Sequence, residues 1–170
     1  KLNIFMDINT VEPAHHPNHK MGFSIDWLVT LKCNYDCAYC EIGPKGHDNS
    51  SKHPAFEDCM TMLEHLYSYT DLMMANKKEG AKDAVLNILG GEALFHPNIT
   101  DIMEQSTLRH QKYSHKWRLR KRMTTNGTAS EENWKKICEH VDGFTLSYHS
   151  SGPPKLKKLF MKNAQYLVSE

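Results

Sequence analysis

Four segments with the pattern of a β-strand alternate with four segments with the pattern of an α-helix, and this alternation restricts the fold more than any other feature of the sequence. Strand patterns, in which apolar side chains alternate with polar ones or run continuously, cover residues 24–31, 84–89, 117–125 and 143–148. Helix patterns, with apolar side chains three and four residues apart, cover about residues 54–75, follow Pro97, carry Trp134 to Val141 and follow Pro154. Strict alternation of strand and helix indicates a parallel sheet with right-handed crossovers. We therefore predict an α/β fold.

Four such units cannot close a barrel of the TIM type. An eight-unit barrel takes roughly 250 residues, whereas this chain has 170 and stops after a helix, where a fifth strand would be expected. We predict a partial TIM-like βα barrel with about four visible units. We expect the chain to be a fragment of a longer domain, or else a shortened open barrel whose last strand needs cover. Residues 1–22 are interpreted as an N-terminal extension and residues 23–170 as the core.

The start of the third helix has a recognisable capping pattern. Thr128 and Glu131 lie three residues apart, just before the apolar side chains of this helix. This spacing matches a capping box, in which the two side chains bond to each other's backbone N–H groups. The pattern predicts that the helix begins directly after Thr128.

The basic and acidic residues of the chain nearly balance, which argues against a dedicated nucleic-acid-binding protein. There are 21 basic and 20 acidic residues, which gives a formal net charge of +1. Nucleic-acid binding is therefore not the expected function.

No window of about 18 apolar residues predicts a transmembrane helix, and the first ten residues lack the apolar stretch of a secretory signal. We expect a cytoplasmic location.

Three of the five cysteines form a tight cluster, Cys33, Cys37 and Cys40, while Cys59 and Cys138 stand alone. A disulfide framework would favour an even number of cysteines spread along the chain. The cluster instead indicates metal ligation by thiolates in a reducing compartment. It follows the first predicted strand, at the sheet edge where α/β proteins form their active sites.

Two kinds of metal centre are compatible with this spacing. An iron–sulfur cubane is commonly held by four cysteines, so three would leave one iron open to a ligand, as catalytic zinc sites leave one position open. A zinc ion would need a fourth ligand, for which His47 or Cys59 could serve. We favour the iron–sulfur centre, because zinc sites usually pair two C-x-x-C knuckles and only one is present. His15, His16 and His19 could also bind a metal, but a solvated loop is the favoured interpretation.

Four motifs at the ends of the four predicted strands resemble those of the radical S-adenosylmethionine (SAM) superfamily. They are the C-x3-C-x2-C spacing of Cys33, Cys37 and Cys40, then Gly90-Gly91-Glu92, Thr125-Asn126-Gly127 and Ser147-Tyr148-His149-Ser150. The resemblance runs from about Ser24 to the end of the chain. Ala93 departs from the pattern, since the family usually has Pro there. The resemblance implies that residues 23–170 are the N-terminal part of a (βα)6-type radical SAM core.

The resemblance also implies a chemistry. The three cysteines would hold a 4Fe-4S cluster whose open iron binds SAM, and one electron would cleave SAM to a 5′-deoxyadenosyl radical that abstracts hydrogen from an unidentified substrate. A reductant such as flavodoxin or ferredoxin is the implied partner, and an oxygen-sensitive oxidoreductase or lyase is the implied enzyme class. The alternatives are a non-catalytic zinc- or cluster-binding module and a truncated radical SAM fold without turnover.

Seven further residues match positions that contact the cofactor in the family: Tyr39, Gly90, Gly91, Glu92, Asn126, Ser147 and His149. Without a Cβ, the two glycines would let the backbone approach the methionyl ammonium, with the Glu92 carboxylate nearby. Tyr39 would lie near adenine, with ordinary loop packing as the alternative. Asn126, Ser147 and His149 would reach the ribose, a carboxylate or the substrate, with a turn residue and a structural histidine as the alternatives.

The third strand pattern contains an unusual row of alternating arginines, Arg118, Arg120 and Arg122. If the strand includes them, they share a face with each other and could bind a carboxylate or phosphate group of the substrate. The favoured interpretation is that the strand begins later, near Met123, and that the basic run is a solvated loop. A polar barrel lumen and these arginines together favour an anionic small-molecule substrate.

Overall fold

The computed structural model describes residues 21–40, 52–75 and 83–169. Within these ranges strands and helices alternate as predicted. The elements are β1 (Met21–Leu28), α1 (Phe56–Ala75), β2 (Asp83–Leu89), a 3₁₀ turn (Ala93–Phe95), α2 (Ile99–Gln111), β3 (Arg118–Thr125), α3 (Glu131–Cys138), β4 (Gly143–Leu146) and α4 (Pro154–Ser169). The predicted His15, His16 and His19 site, and His47, lie outside the described residues.

The four strands form one parallel sheet in the order β1-β2-β3-β4. Each strand therefore pairs with the next one along the chain, and each connection between paired strands contains a helix. This is the arrangement of a singly wound βα barrel that is not closed. The prediction of a partial TIM-like parallel fold is confirmed.

The core lies between one face of the sheet and the helices. Alternate side chains of β1, β2 and β3 are buried on this face, as the pleat of a strand requires. They are Trp27 on β1, Ala84, Leu86 and Ile88 on β2, and Leu119 and Met123 on β3. Helices contribute Leu63 and Tyr67 from α1, Ile102 and Met103 from α2, and Trp134 and Ile137 from α3. Burying each of these large side chains contributes roughly 1.5–3 kcal/mol relative to exposure.

The opposite face of the sheet is mostly polar, although Leu28, Val85 and Leu89 also lie on it. Ser24, Asp26 and Asn87 lie on this face, where the Asn87 amide donates to the Ser24 hydroxyl and to the Asp26 carboxylate at 2.9 and 2.7 Å. The polar lumen expected from strand alternation is therefore present, and it leads up to the carboxyl ends of the strands.

The expectation that β3 begins near Met123 is wrong, because the strand begins at Arg118. Arg118 pairs with Asp83 of β2 in the parallel ladder, and Leu119, two residues before the buried Lys121, is buried on the core face. Backbone pairing and burial of alternate side chains therefore hold the basic run in the sheet. The three arginines lie together on the polar face, opposite the helices.

The start of α3 also differs from the sequence prediction. The N-cap is Ser130, whose hydroxyl accepts from the backbone N–H of Asn133 at 3.3 Å. Thr128 does not cap the helix, because its hydroxyl is bonded to Asn34 and Asn126 instead. The capping box of Thr128 and Glu131 is therefore wrong, and the reason is a tertiary contact.

Three smaller observations complete the fold. Cys59 is buried in α1, whereas Cys138 is only half-buried. β1 begins at Met21, two residues before the predicted core boundary. No helix within the described ranges has the length and apolar character needed to cross a membrane.

Lys121 is an unusual member of the core face, since it is 7% exposed. Its Nζ donates to the Thr107 hydroxyl of α2. Burial lowers the pKa of Lys121 from 10.5 to about 8, although the Asp142 carboxylate acts in the opposite direction. The protein therefore buries an ammonium group at neutral pH at a cost in stability.

We predict that Lys121→Met removes a pH dependence of stability. Below pH 8 the lysine is charged in both the folded and unfolded states, and the burial cost is fully present. Between pH 8 and 10.5 the folded state loses the proton first, so the free energy of unfolding of the unaltered chain rises by up to about 3 kcal/mol. Urea denaturation across this range should show the rise in the unaltered chain and in Lys158→Met, an exposed control, but not in Lys121→Met. Parallel curves for all three would contradict the assignment.

Candidate metal centre

The chain segments that follow the four strands meet around one cavity at the carboxyl edge of the sheet. Its volume is about 170 Å³. All ten predicted site residues line it: Cys33, Cys37, Cys40, Tyr39, Gly90, Gly91, Glu92, Asn126, Ser147 and His149. Pockets that enclose an organic ligand usually measure roughly 300–1,000 Å³. The cavity thus corresponds to the space beside the thiols and not to a complete nucleotide site.

The three clustered cysteines lie on one loop, and none of them forms a disulfide. Cys37 is buried, and Cys33 and Cys40 are half-buried. The Cys33 sulfur accepts from the backbone N–H of Tyr35 at 3.4 Å, and the Cys40 N–H donates to the Cys37 carbonyl at 3.0 Å, so local bonds shape the loop. Burial raises the pKa of the Cys33 thiol. Metal binding at this position would therefore release a proton.

A zinc ion was the alternative to a cluster at these thiols. In the ranges that the structure describes, no three His, Cys, Asp or Glu side chains are arranged to hold one metal ion. A single zinc ion needs ligands that converge to about 2.0–2.3 Å, whereas a cluster takes its thiolates on different irons. Cys59, offered as a fourth zinc ligand, does not line the cavity, and its sulfur lies 4.0 Å from Nε2 of His96.

Two consecutive glycines that follow β2 pack against the residues that precede the cysteine loop. A Cβ on Gly90 would lie 2.6 Å from the carbonyl oxygen of Thr30, and one on Gly91 would lie 2.5 Å from that of Lys32. This close approach allows the Gly91 N–H to donate to the Thr30 carbonyl at 2.9 Å. Glycine is therefore needed here for backbone packing, which is a different reason from the approach to a ligand that the sequence suggested.

Glu92 connects the ends of β2 and β3. Its side chain is buried, and its carboxylate accepts from the Thr125 hydroxyl at 2.6 Å and from the N–H groups of Asn126 and Leu94 at 2.6 and 3.0 Å. Burial raises the pKa of Glu92, although the three donors act in the opposite direction. These bonds give the carboxylate a structural role that the sequence analysis missed.

Asn126 connects the end of β3 to the cysteine loop. Its amide nitrogen donates to Oδ1 of Asn34 at 2.7 Å, and its own Oδ1 accepts from the Thr128 hydroxyl at 2.5 Å. The Asn34 amide in turn donates to the Thr128 hydroxyl at 2.8 Å. The sequence analysis did not identify Asn34, although an amide directly after Cys33 in a loop of metal ligands was a usable signal.

His149 brings the segment after β4 to the thiols. Its Nδ1 lies 3.4 Å from the Cys37 sulfur and 2.5 Å from the Tyr39 hydroxyl oxygen, and its ring centre is 4.8 Å from that of Tyr35. Burial lowers the pKa of His149, which favours the neutral form of the ring. Tyr39 itself is 67% exposed, so one side of the site is open.

Gly91→Ala should disturb the site far more than Gly143→Ala. The new Cβ at Gly91 meets backbone oxygen at 2.5 Å, whereas a Cβ at Gly143 has no atom within 4 Å. We expect Gly91→Ala to lower the free energy of unfolding by about 1–3 kcal/mol and to speed alkylation of the three loop thiols. Gly143→Ala should be neutral or slightly stabilising. Urea denaturation and timed iodoacetamide labelling measure both effects, and equal behaviour of the two variants would refute the packing role of Gly91.

A sequence model of the radical SAM superfamily matches residues 27–166. This range extends from the end of β1 into α4 and includes every residue that lines the cavity. No curated protein matches the chain. Because the match covers most of the 170 residues, the chain belongs to the radical SAM superfamily.

Proposed function

We propose that this chain binds a 4Fe-4S cluster through Cys33, Cys37 and Cys40 and uses it with SAM to start radical chemistry on a substrate. Proteins of the superfamily generally use this cluster and SAM, and they are generally enzymes. The observation that carries the proposal is the donor set of the cavity, which has three cysteines outside any disulfide and no fourth cysteine among its lining residues. Such a set fits a cubane with one iron left for a non-protein ligand.

The chemistry comes from the bound groups. When bound, the cluster and SAM supply reductive cleavage of the sulfonium to a 5′-deoxyadenosyl radical, which takes a hydrogen atom from the substrate. In the proposal, the chain supplies the ligands, the position of the nucleotide and the shape of the site.

The residues that would hold SAM lie beside the thiols. The carbonyl groups of Gly90 and Gly91 are suited to accept hydrogen bonds from the methionyl ammonium, since both residues line the cavity. The hydroxyl of Ser147 and the neutral ring of His149 can bond to the ribose or the substrate, and the exposed ring of Tyr39 can pack against adenine. Asn126 would form a hydrogen bond to the carboxylate or ribose of SAM, and this bond would replace its present hydrogen bond to Asn34.

The proposal includes the partners and setting of the reaction. A one-electron donor of the flavodoxin or ferredoxin type would reduce the cluster, and the exposed Tyr39 side of the site gives such a donor an approach. None of the described cysteines forms a disulfide, which suits a reducing, cytoplasmic location. The reaction would belong to the oxidoreductase or lyase type and would be sensitive to oxygen.

Anaerobic reconstitution tests the proposal directly. We expect about four irons and four sulfides per chain, and release of 5′-deoxyadenosine after addition of SAM and dithionite. Cys37→Ala should lose both, because one thiolate ligand is missing. Cys138→Ala is the matched control, since this half-buried cysteine of α3 does not line the cavity and should leave iron content and product release unchanged.

Other outcomes would replace the proposal. Stoichiometric zinc without sulfide would make the chain a non-catalytic zinc module. Four irons and sulfides without 5′-deoxyadenosine would make it a cluster-binding fold without turnover. Full iron content in Cys37→Ala would remove the ligand assignment.

A further inference from the structure

The row of arginines on β3 lies on the polar face of the sheet. Arg118, Arg120 and Arg122 alternate with the buried Leu119 and Lys121, so their side chains leave the strand on the side opposite the helices. They line a second cavity, of about 320 Å³, together with Asp142. Three guanidinium groups on one strand face form a local concentration of positive charge.

The three arginines differ in their partners. Arg118 forms two hydrogen bonds to the Asp83 carboxylate, at 2.9 and 2.7 Å, and Arg120 lies 3.8 Å from the same carboxylate. Arg122 is exposed, and its guanidinium group has no hydrogen bond or ion pair within the described part of the chain. The Asp83 carboxylate thus pairs with Arg118 and Arg120, and the N–H donors of the Arg122 guanidinium remain available to another group.

The space beside Arg122 is open. Its neighbour in the β4 ladder is Gly143, where a Cβ would have no atom within 4 Å. Its neighbour on β2 is Asn87, whose amide already bonds to Ser24 and Asp26. A free guanidinium therefore borders an unfilled gap in the sheet face.

The charges around this gap favour an anion. Asp83 and Asp142 are the carboxylates next to the arginine row, and Asp142 already accepts from the Lys121 N–H at 2.7 Å. Asp26 lies two strands away and is bonded to Asn87. Three guanidinium groups thus face two adjacent carboxylates. A guanidinium forms paired hydrogen bonds with carboxylate and phosphate groups, so these two oxyanions are the ligands that the arginine row is suited to bind.

The arginine row is close to the thiol cavity. Thr124, which lines that cavity, lies on the same strand face as Arg122 and two residues further along β3. Two residues of a strand span about 7 Å. A small molecule with its anionic group at Arg122 would therefore extend along the polar face toward the thiol cavity.

We propose that Arg122, assisted by Arg120, binds a phosphate or carboxylate group of the substrate, so that the substrate is a small anionic molecule held along the polar face of the sheet. This inference rests on the proposed function, because it assumes that the chain acts on a substrate. The oxyanion site itself depends only on the arginines and the gap at Gly143.

Calorimetric titration of the reconstituted 170-residue chain, without SAM, tests the site. The probes are inorganic phosphate in one arm and succinate in the other, so that the arms distinguish the two oxyanions. We expect at least one probe to bind, and Arg122→Gln to weaken its binding at least tenfold. Gly143→Asp should do the same with Arg122 intact, because its carboxylate would enter the gap and pair with the guanidinium. Arg109→Gln is the control, since Arg109 lies on α2 and pairs with Glu64.

The outcomes separate this inference from the proposed function. Loss of binding in Arg122→Gln and Gly143→Asp, with binding kept in Arg109→Gln, supports the site. No binding of either probe to the unaltered chain, or equal binding in all variants, overturns it. Iron content and 5′-deoxyadenosine release of the unaltered chain are measured on the same preparation, so each idea can fail without the other.

Discussion

The close approach between the end of β2 and the residues before the cysteine loop is the constraint on which the rest of the site depends. Because Gly90 and Gly91 carry no Cβ, their backbone packs against the carbonyl groups of Thr30 and Lys32. Glu92 follows at once, and its own N–H donates to the Lys32 carbonyl at 2.8 Å. The position of the Glu92 carboxylate is thereby set by the same contact.

From Glu92 a path of hydrogen bonds leads back to the cysteine loop. The Glu92 carboxylate accepts from the Asn126 N–H, and the Asn126 amide donates to Asn34, which lies two residues after Lys32. The path therefore closes on the loop that carries the three thiols. Buried polar groups that satisfy one another in this way hold their elements in one arrangement. The loop can thus be shaped by the protein before any metal is bound, which lowers the entropic cost of assembling the ligands.

Sequence patterns predicted the parts of the structure that depend on local periodicity. Alternate apolar residues such as Leu86 and Ile88 identified the strands, and the ends of parallel strands necessarily meet at one edge, so the four motifs that follow the strands were expected to lie around one cavity, as they do. The roles of the ten site residues came from the resemblance to the radical SAM superfamily, and they stay predictions. The patterns failed where a distant partner decides. Thr128 has the spacing of a helix cap, but its side chain bonds to Asn34. The basic run of β3 has the composition of a solvated loop, but it pairs with β2, where Asp83 lies beside Arg118. The structural role of the Glu92 carboxylate was hidden for the same reason.

The central claim is that three thiolates of this chain leave one iron of a cubane open for SAM. The most direct measurement is a structure of the anaerobically reconstituted chain with SAM bound. The account predicts that Cys33, Cys37 and Cys40 each bind one iron and that the amino and carboxylate groups of SAM bind the fourth. A protein side chain on the fourth iron, or a single metal ion shared by the three sulfurs, would contradict it.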